Sequence, residues 1–167
     1  MKPDWYVLAG GPCSGKTTTV NELKKLGFHI IPEAATTLMK EGTVRKDENN
    51  FTKKVLKKNI ENEKNAPRDK VVFFERAVPD CIGYNLNYDK TTDVETVRLC
   101  IGRDYKRIFF LEQVPYKKTR KRIETEEEAK RLSTFLYMAY RNLGYDMVLV
   151  PNMGIEERIN LILEKIK

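Results

Sequence analysis

The segment GGPCSGKTT, residues 10–18, stands between the apolar run WYVLA and the stretch VNELKKLG, and it limits the fold more than any other part of the chain. Its first eight residues fit the spacing G-x-x-x-x-G-K-[ST]. Glycines so placed leave backbone N–H groups uncovered, and a helix beginning there turns its positive end to the same point, so the segment is predicted to cradle phosphate oxygens. The surroundings agree with that reading. WYVLA has the length and composition of a buried strand, and Lys16 to Leu26 reads as a helix that Gly27 closes as a C-cap. Gly10, Gly11, Pro12, Cys13, Ser14, Gly15, Lys16, Thr17 and Thr18 are therefore expected to form a binding loop for ATP or GTP. Lys16 would reach the terminal phosphates and Thr17 would offer its hydroxyl to Mg²⁺. Cys13 is read as a small residue that the loop tolerates.

Downstream, short apolar runs alternate with helical patterns. FHIIP reads as a second strand and AATTLMKEG as a helix ending at Gly42; residues 49–65 are helical, and KVVFFE is a third, buried strand. Helical segments over Pro79 to Leu86 and Asp93 to Ile101 precede a fourth strand, YKRIFFLE. Thr125 and Glu128 form a T-x-x-E capping box, and Ala129, Leu132, Leu136, Ala139 and Leu143 then recur at helical spacing to about Asn142, with Gly144 as the stop. DMVLVP is the fifth strand, and Ile155, Ile159, Ile162 and Ile166 line one face of a last helix. Such alternation predicts a parallel sheet covered on both faces. At 167 residues and 41% hydrophobic content, one domain over 1–167 is expected.

Composition narrows the classes. Apolar runs such as WYVLA, VVFF and IFFL are far shorter than a membrane span, and MKPDWYVLAG lacks the sections of a signal peptide, so a cytoplasmic protein is expected. Cys13, Cys81 and Cys100 show neither CxxC nor zinc spacing, which predicts reduced thiols. The net charge of +7 suits an anionic ligand. However, Lys53, Lys54, Lys57 and Lys58 alternate with Phe51, Val55 and Ile60 as on a solvated helix face, and no aromatic interleaving marks a single-strand channel, so nucleic acid is not favoured as a partner.

Chemistry at a bound phosphate needs a second acid to organise Mg²⁺ waters or take a proton, and it should end a strand beside the first. VVFFE ends at Glu75 and IFFLE at Glu112. Glu75 is followed by Arg76, whose guanidinium can bind a phosphate or the acceptor while the carboxylate acts as base or metal organiser. Glu112 leads into Gln113 and is read as a plain strand-end carboxylate. His29, the only histidine, is read as a strand residue.

These features resemble the P-loop nucleoside and nucleotide kinases, in which an Asp-Arg or Glu-Arg pair ends the strand beside the phosphate loop and an arginine-rich lid precedes a long helix. More closely, the chain resembles the small NadR/Ttd-type AAA-domain family of P-loop NTPases, through GGPCSGKTT, IPEAA, FFERAVPDCIGY, TRKRIETEEEA, YRNLGY and VPNMGIEER. The resemblance implies a three-layer α/β/α fold with a five-stranded parallel sheet and the phosphate loop after the central strand. It also implies an acceptor pocket holding Glu33, which is otherwise a carboxylate at a helix N-terminus. Asp80 and Tyr84, one helical turn apart, would face that pocket, although Tyr84 is equally a core candidate. Glu75-Arg76 stands where Asp-Arg is common and matches the deoxynucleoside-kinase variant. Lys117, Lys118, Arg120, Lys121 and Arg122 fall in the expected lid, residues 115–125, with Arg120 and Arg122 set to meet transferred charge; Asn152 would touch the nucleotide base. The implied activity is Mg²⁺-dependent phosphoryl transfer from ATP or GTP to a small acceptor such as a nucleoside, nucleotide or ribosyl compound. The same family contains ribosylnicotinamide kinase domains and members that bind GTP and phosphoinositides. A nucleotide-dependent switch with a protein or phosphoinositide partner, and a polynucleotide 5′-hydroxyl kinase, therefore stand as alternatives.

Overall fold

A computed structural model describes residues 2–44, 48–113 and 125–167. Its elements follow in the order β1 (Trp5–Ala9), α1 (Lys16–Lys25), β2 (His29–Ile31), α2 (Ala34–Lys40), α3 (Glu48–Asn65), β3 (Val72–Glu75), α4 (Asp80–Asn87), α5 (Val94–Cys100), β4 (Arg107–Leu111), α6 (Glu126–Asn142), β5 (Met147–Val150) and α7 (Ile155–Ile166). Helix ends fall within one or two residues of the expected ones, as fraying ends do. The five strands form one sheet in the order β2-β3-β1-β4-β5, every pairing parallel. The loop Gly10–Gly15 thus leaves the central strand, as the resemblance implies.

The apolar runs read as strands because both of their faces are buried. Trp5, Val7, Phe74, Ile108 and Phe110 project to one side, where Leu132, Leu136 and Tyr140 of α6 cover them. Tyr6, Leu8, Phe73, Phe109 and Leu111 project to the other, against Val20 and Leu23 of α1 and Ile159 and Ile162 of α7. This is the three-layer α/β/α fold. Thr125 caps α6 through the expected box with Glu128. Phe51 is buried while Lys53, Lys54 and Lys57 are exposed, so that part of α3 is solvated. The three cysteines are free thiols, although the Sγ atoms of Cys81 and Cys100 lie 3.5 Å apart in the core. Among the described residues no helix is long and apolar enough to cross a membrane.

Helices α4 and α6 touch at Gly83, where an added Cβ would lie 2.8 Å from both Cα and Cδ2 of Leu136. Alanine is a better helix former than glycine by about 1 kcal/mol. Here the overlap with backbone outweighs that gain, since overpacking a close contact costs about 1–3 kcal/mol. Gly83→Ala is expected to lower the melting temperature, and a calorimetric midpoint at or above the wild type would contradict the close packing.

Candidate functional site

Parallel pairing brings the carboxyl ends of all five strands to one edge of the sheet, where ligands of open α/β sheets collect. The loop after β1 turns there through left-handed backbone at Cys13 (φ 62°) and Gly15 (φ 78°). Ser14 Oγ donates to the Gly11 carbonyl at 3.0 Å, and Lys16 Nζ donates to the carbonyls of Gly10 (3.0 Å) and Gly11 (2.7 Å) and to Ser14 Oγ (3.1 Å). The ammonium thus holds the ring of the loop from inside. From beyond β4, Gln113 Nε2 donates to the Pro12 carbonyl at 3.2 Å. Burial, followed by the charge of Arg76, pushes the Lys16 pKa down to about 7, and Glu33, Asp80 and Glu75 oppose the shift only in part. An anion seated in the loop would restore the full charge.

Leu8 pairs with Glu75 across β1 and β3, which carries the carboxylate to the first turn of α1. There Thr17 Oγ1 donates to Glu75 Oε1 at 2.6 Å. A hydroxyl and a carboxylate in contact are hard oxygen donors, the set that suits Mg²⁺ when phosphates and waters complete its shell. Thr17 is solvent-exposed and Glu75 is buried, so an ion could approach from the loop side. Thr18, next on α1, is exposed as well. Among the described residues no cluster of three or more His, Cys, Asp or Glu could hold a metal on its own, so Mg²⁺ would need the nucleotide as co-ligand.

Arg76 follows with φ 63°, a left-handed conformation that a long side chain adopts at a cost of about 1–3 kcal/mol and that clusters at functional sites. Its backbone N–H donates to the Leu8 carbonyl at 3.1 Å. The guanidinium is then clamped: Nε donates to Glu33 Oε1 at 2.8 Å and Nη1 to Asp80 Oδ1 at 2.9 Å, while its face lies 5.4 Å from the Tyr84 ring. Glu33 Oε2 accepts from Thr36 Oγ1 at 2.6 Å. Asp80 Oδ2 accepts from the Ala77 N–H at 2.9 Å and from the Tyr140 hydroxyl. Burial works to raise the Glu33 pKa, but the Arg76 charge and the Thr36 bond outweigh it and hold the carboxyl below its usual range. Burial likewise opposes the Arg76 charge, yet the carboxylates of Asp80 and Glu33 keep it protonated. Burial first of all pushes Tyr84 up to about 12, so its phenol stays neutral.

A cleft of about 60 Å³ opens beside this clamp, walled by Glu33, Arg76, Asp80, Cys81, Tyr84 and Tyr88 among others. Two sets of expected residues are therefore brought together, the loop with Glu75 and Glu33 with Arg76, Asp80 and Tyr84. Tyr84 serves both of its readings, lining the cleft while packing against the core. Glu112 is exposed. His29 begins β2, at the opposite end of the sheet. Asn152 lies exposed in the turn after the edge strand β5. Arg120 and Arg122, with residues 115–124 of the expected lid, lie outside the described residues. Sequence reasoning missed Arg158, which contacts the phosphate loop from α7. Its position was a signal: Ile155, Arg158, Ile159 and Ile162 share one helical face, which puts a cation within an apolar stripe.

The family model described as AAA domain matches residues 5–158. No match is found among curated protein sequences. Among solved structures, thymidylate kinase from Ehrlichia chaffeensis superposes with a TM-score of 0.71 at 11% identity, covering 98% of each chain. Deoxyadenosine kinase from M. mycoides with bound dATP gives 0.68 at 18% identity, over 96% of this chain and 98% of that one. The NadR protein in complex with NR gives 0.77 at 15% identity, over 98% of this chain and 51% of that one. At such identities the likeness is one of fold.

Proposed function

The chain belongs to the AAA-domain family, and from that premise we propose that it is a Mg²⁺-dependent phosphotransferase. It moves the terminal phosphoryl group of ATP or GTP to the hydroxyl or phosphate of a small acceptor, such as a nucleoside, nucleotide or ribosyl compound. The observation that carries this reading is the adjacency of two different sites across β1, β3 and β2. A phosphate loop with the Thr17–Glu75 pair lies beside a cleft built on the buried Glu33–Arg76–Asp80 clamp. A simple hydrolase has no need of the second. The kinases among the similar folds support it.

In the proposed reaction the loop amides and Lys16 bind the triphosphate. Thr17, with Glu75 ordering the metal's waters, would hold Mg²⁺, which would supply charge neutralisation. The acceptor oxygen attacks the terminal phosphorus, the bond from that phosphorus to the bridging oxygen breaks, and the nucleoside diphosphate leaves. The Thr17 bond draws Glu75 to the loop side, which supports its role as organiser of the metal's waters. Glu33 lines the cleft and stays ionised, which suits it to orient an acceptor hydroxyl and receive its proton. Arg76 and Tyr84 shape the acceptor wall, and Asn152 touches the base. We take residues 1–167 as one domain acting in the cytoplasm.

The test is a screen of hydroxyl and phosphate acceptors with radiolabelled ATP and GTP, run beside hydrolysis without acceptor. Label transferred to an acceptor faster than released to water supports the proposal; hydrolysis alone would move the reading to a nucleotide-dependent switch. The lid at 115–125 belongs to the same proposal. Arg120→Ala/Arg122→Ala is expected to depress turnover strongly and nucleotide affinity little, because interactions made in the transition state appear mainly in the rate. Phosphate released per acceptor phosphorylated should rise, since an open site admits water. An unchanged rate and ratio would remove these arginines from the mechanism.

A further inference from the structure

Arg158 is 3% exposed, yet no carboxylate of the described residues lies within ion-pair distance. Its Nη1 donates to the Ser14 carbonyl at 3.2 Å and to Thr19 Oγ1 at 3.3 Å. Its buried Nε has no hydrogen-bond partner. An uncompensated cation in the interior is unfavourable, and the fold retains it directly behind the phosphate loop. The fit is close, because a Cβ on Gly15 would lie 2.4 Å from Nη1.

The contact also has a direction. In a trans peptide the C=O and the following N–H point to opposite sides. A guanidinium that holds the Ser14 carbonyl therefore turns the Gly15 N–H away from itself, toward the side of the loop opposite Arg158. We propose that Arg158 is a positioning residue of the phosphate loop. From α7 it fixes the Ser14–Gly15 peptide so that the Gly15 N–H faces a bound phosphate, and it supplies a buried positive charge that a phosphate in the loop balances. The proposal rests on the reading of this loop as a nucleoside triphosphate site.

Such a residue has opposite effects on the two states. It burdens the empty protein with an unpaired charge and strengthens the liganded one. Arg158→Met keeps the length and apolar stem while removing charge and donors. Calorimetric titration with Mg²⁺ and ATP or GTP is expected to show Kd raised about tenfold or more, the size expected for losing a charge-assisted bond. The melting temperature of the nucleotide-free variant should be unchanged or higher. A merely structural arginine predicts the reverse, a lower melting temperature with wild-type Kd in the folded fraction, and that result overturns the proposal. If Arg158→Met does not fold, Arg158→Lys decides. It keeps the charge and loses the fork, so a Kd raised above the wild type at wild-type melting temperature supports the proposal, and a wild-type Kd overturns it. A wild-type protein that binds neither triphosphate overturns the loop reading and this proposal together. Wild-type binding that Arg158→Met leaves unaltered overturns this one alone.

Discussion

Lys16→Ala is expected to give a folded protein that binds ATP and GTP far more weakly and has no measurable turnover. Lys16 is buried, but its ammonium touches only loop carbonyls and a loop hydroxyl, so its removal leaves the apolar core untouched. Burial lowers its pKa to about 7, below the ordinary lysine value of about 10.4. The charged form is therefore disfavoured in the folded, empty protein; that burden is fully present below about 7 and fades as pH rises towards the unfolded value. Its loss should not destabilise the variant at neutral pH. Binding carries the opposite sign. A triphosphate raises the Lys16 pKa, so affinity is highest below about pH 7, falls as pH rises past it, and above it binding takes up a proton. Titration at about pH 8 in buffers of different ionisation enthalpy should reveal proton uptake in the wild type and none at this site in Lys16→Ala. Removal of one preorganised donor to developing charge typically costs about 10²–10³ in rate. Wild-type affinity in a folded Lys16→Ala would reject the role.

The second large effect is expected at Glu75. Glu75→Gln keeps an oxygen to accept the Thr17 hydroxyl bond now made at 2.6 Å, so nucleotide affinity should change little. A carboxamide does not carry the charge that orders metal-bound water, and turnover should fall by about 10–100-fold. Glu112→Gln, at an exposed strand-end position, should be fully active. Steady-state rates and titrations of the two variants decide the matter. An inactive Glu112→Gln beside an active Glu75→Gln would reverse the assignment of the strands.

The parts of this structure that were legible in the sequence depend on short-range order. WYVLA, VVFFE and IFFLE are uniformly apolar because strands of a covered parallel sheet bury both faces. The phosphate loop is contiguous, and Asp80 and Tyr84 stand one helical turn apart after the Glu75-Arg76 pair. Glu75 rather than Glu112 is singled out in the sequence as the second acid, from the arginine beside it, and in the fold Thr17 Oγ1 donates to it. What escaped notice depends on chain crossings. Glu33 meets Arg76 across 43 positions, and that contact needs the left-handed turn at Arg76, which no residue preference announces. Arg158 reaches Ser14 across 144 positions. Its place in an apolar stripe was visible, but its target depends on α7 packing behind α1, a fact of tertiary structure alone.

The carboxylate of Asp80 is held by Arg76, by the Ala77 N–H and by the Tyr140 hydroxyl from the neighbouring helix α6. Breaking a buried charge pair by removing one member costs about 3–5 kcal/mol, a large share of the 5–15 kcal/mol that typically separates folded from unfolded chains. Altering Asp80 alone would therefore remove much of that margin before any new acceptor preference could be selected. Arg76, Asp80 and Tyr140 are thus expected to be inherited as a set, replaced together or not at all. Divergence in acceptor choice would accumulate instead at Ala35, Val55 and Tyr88, cleft-wall residues outside that junction.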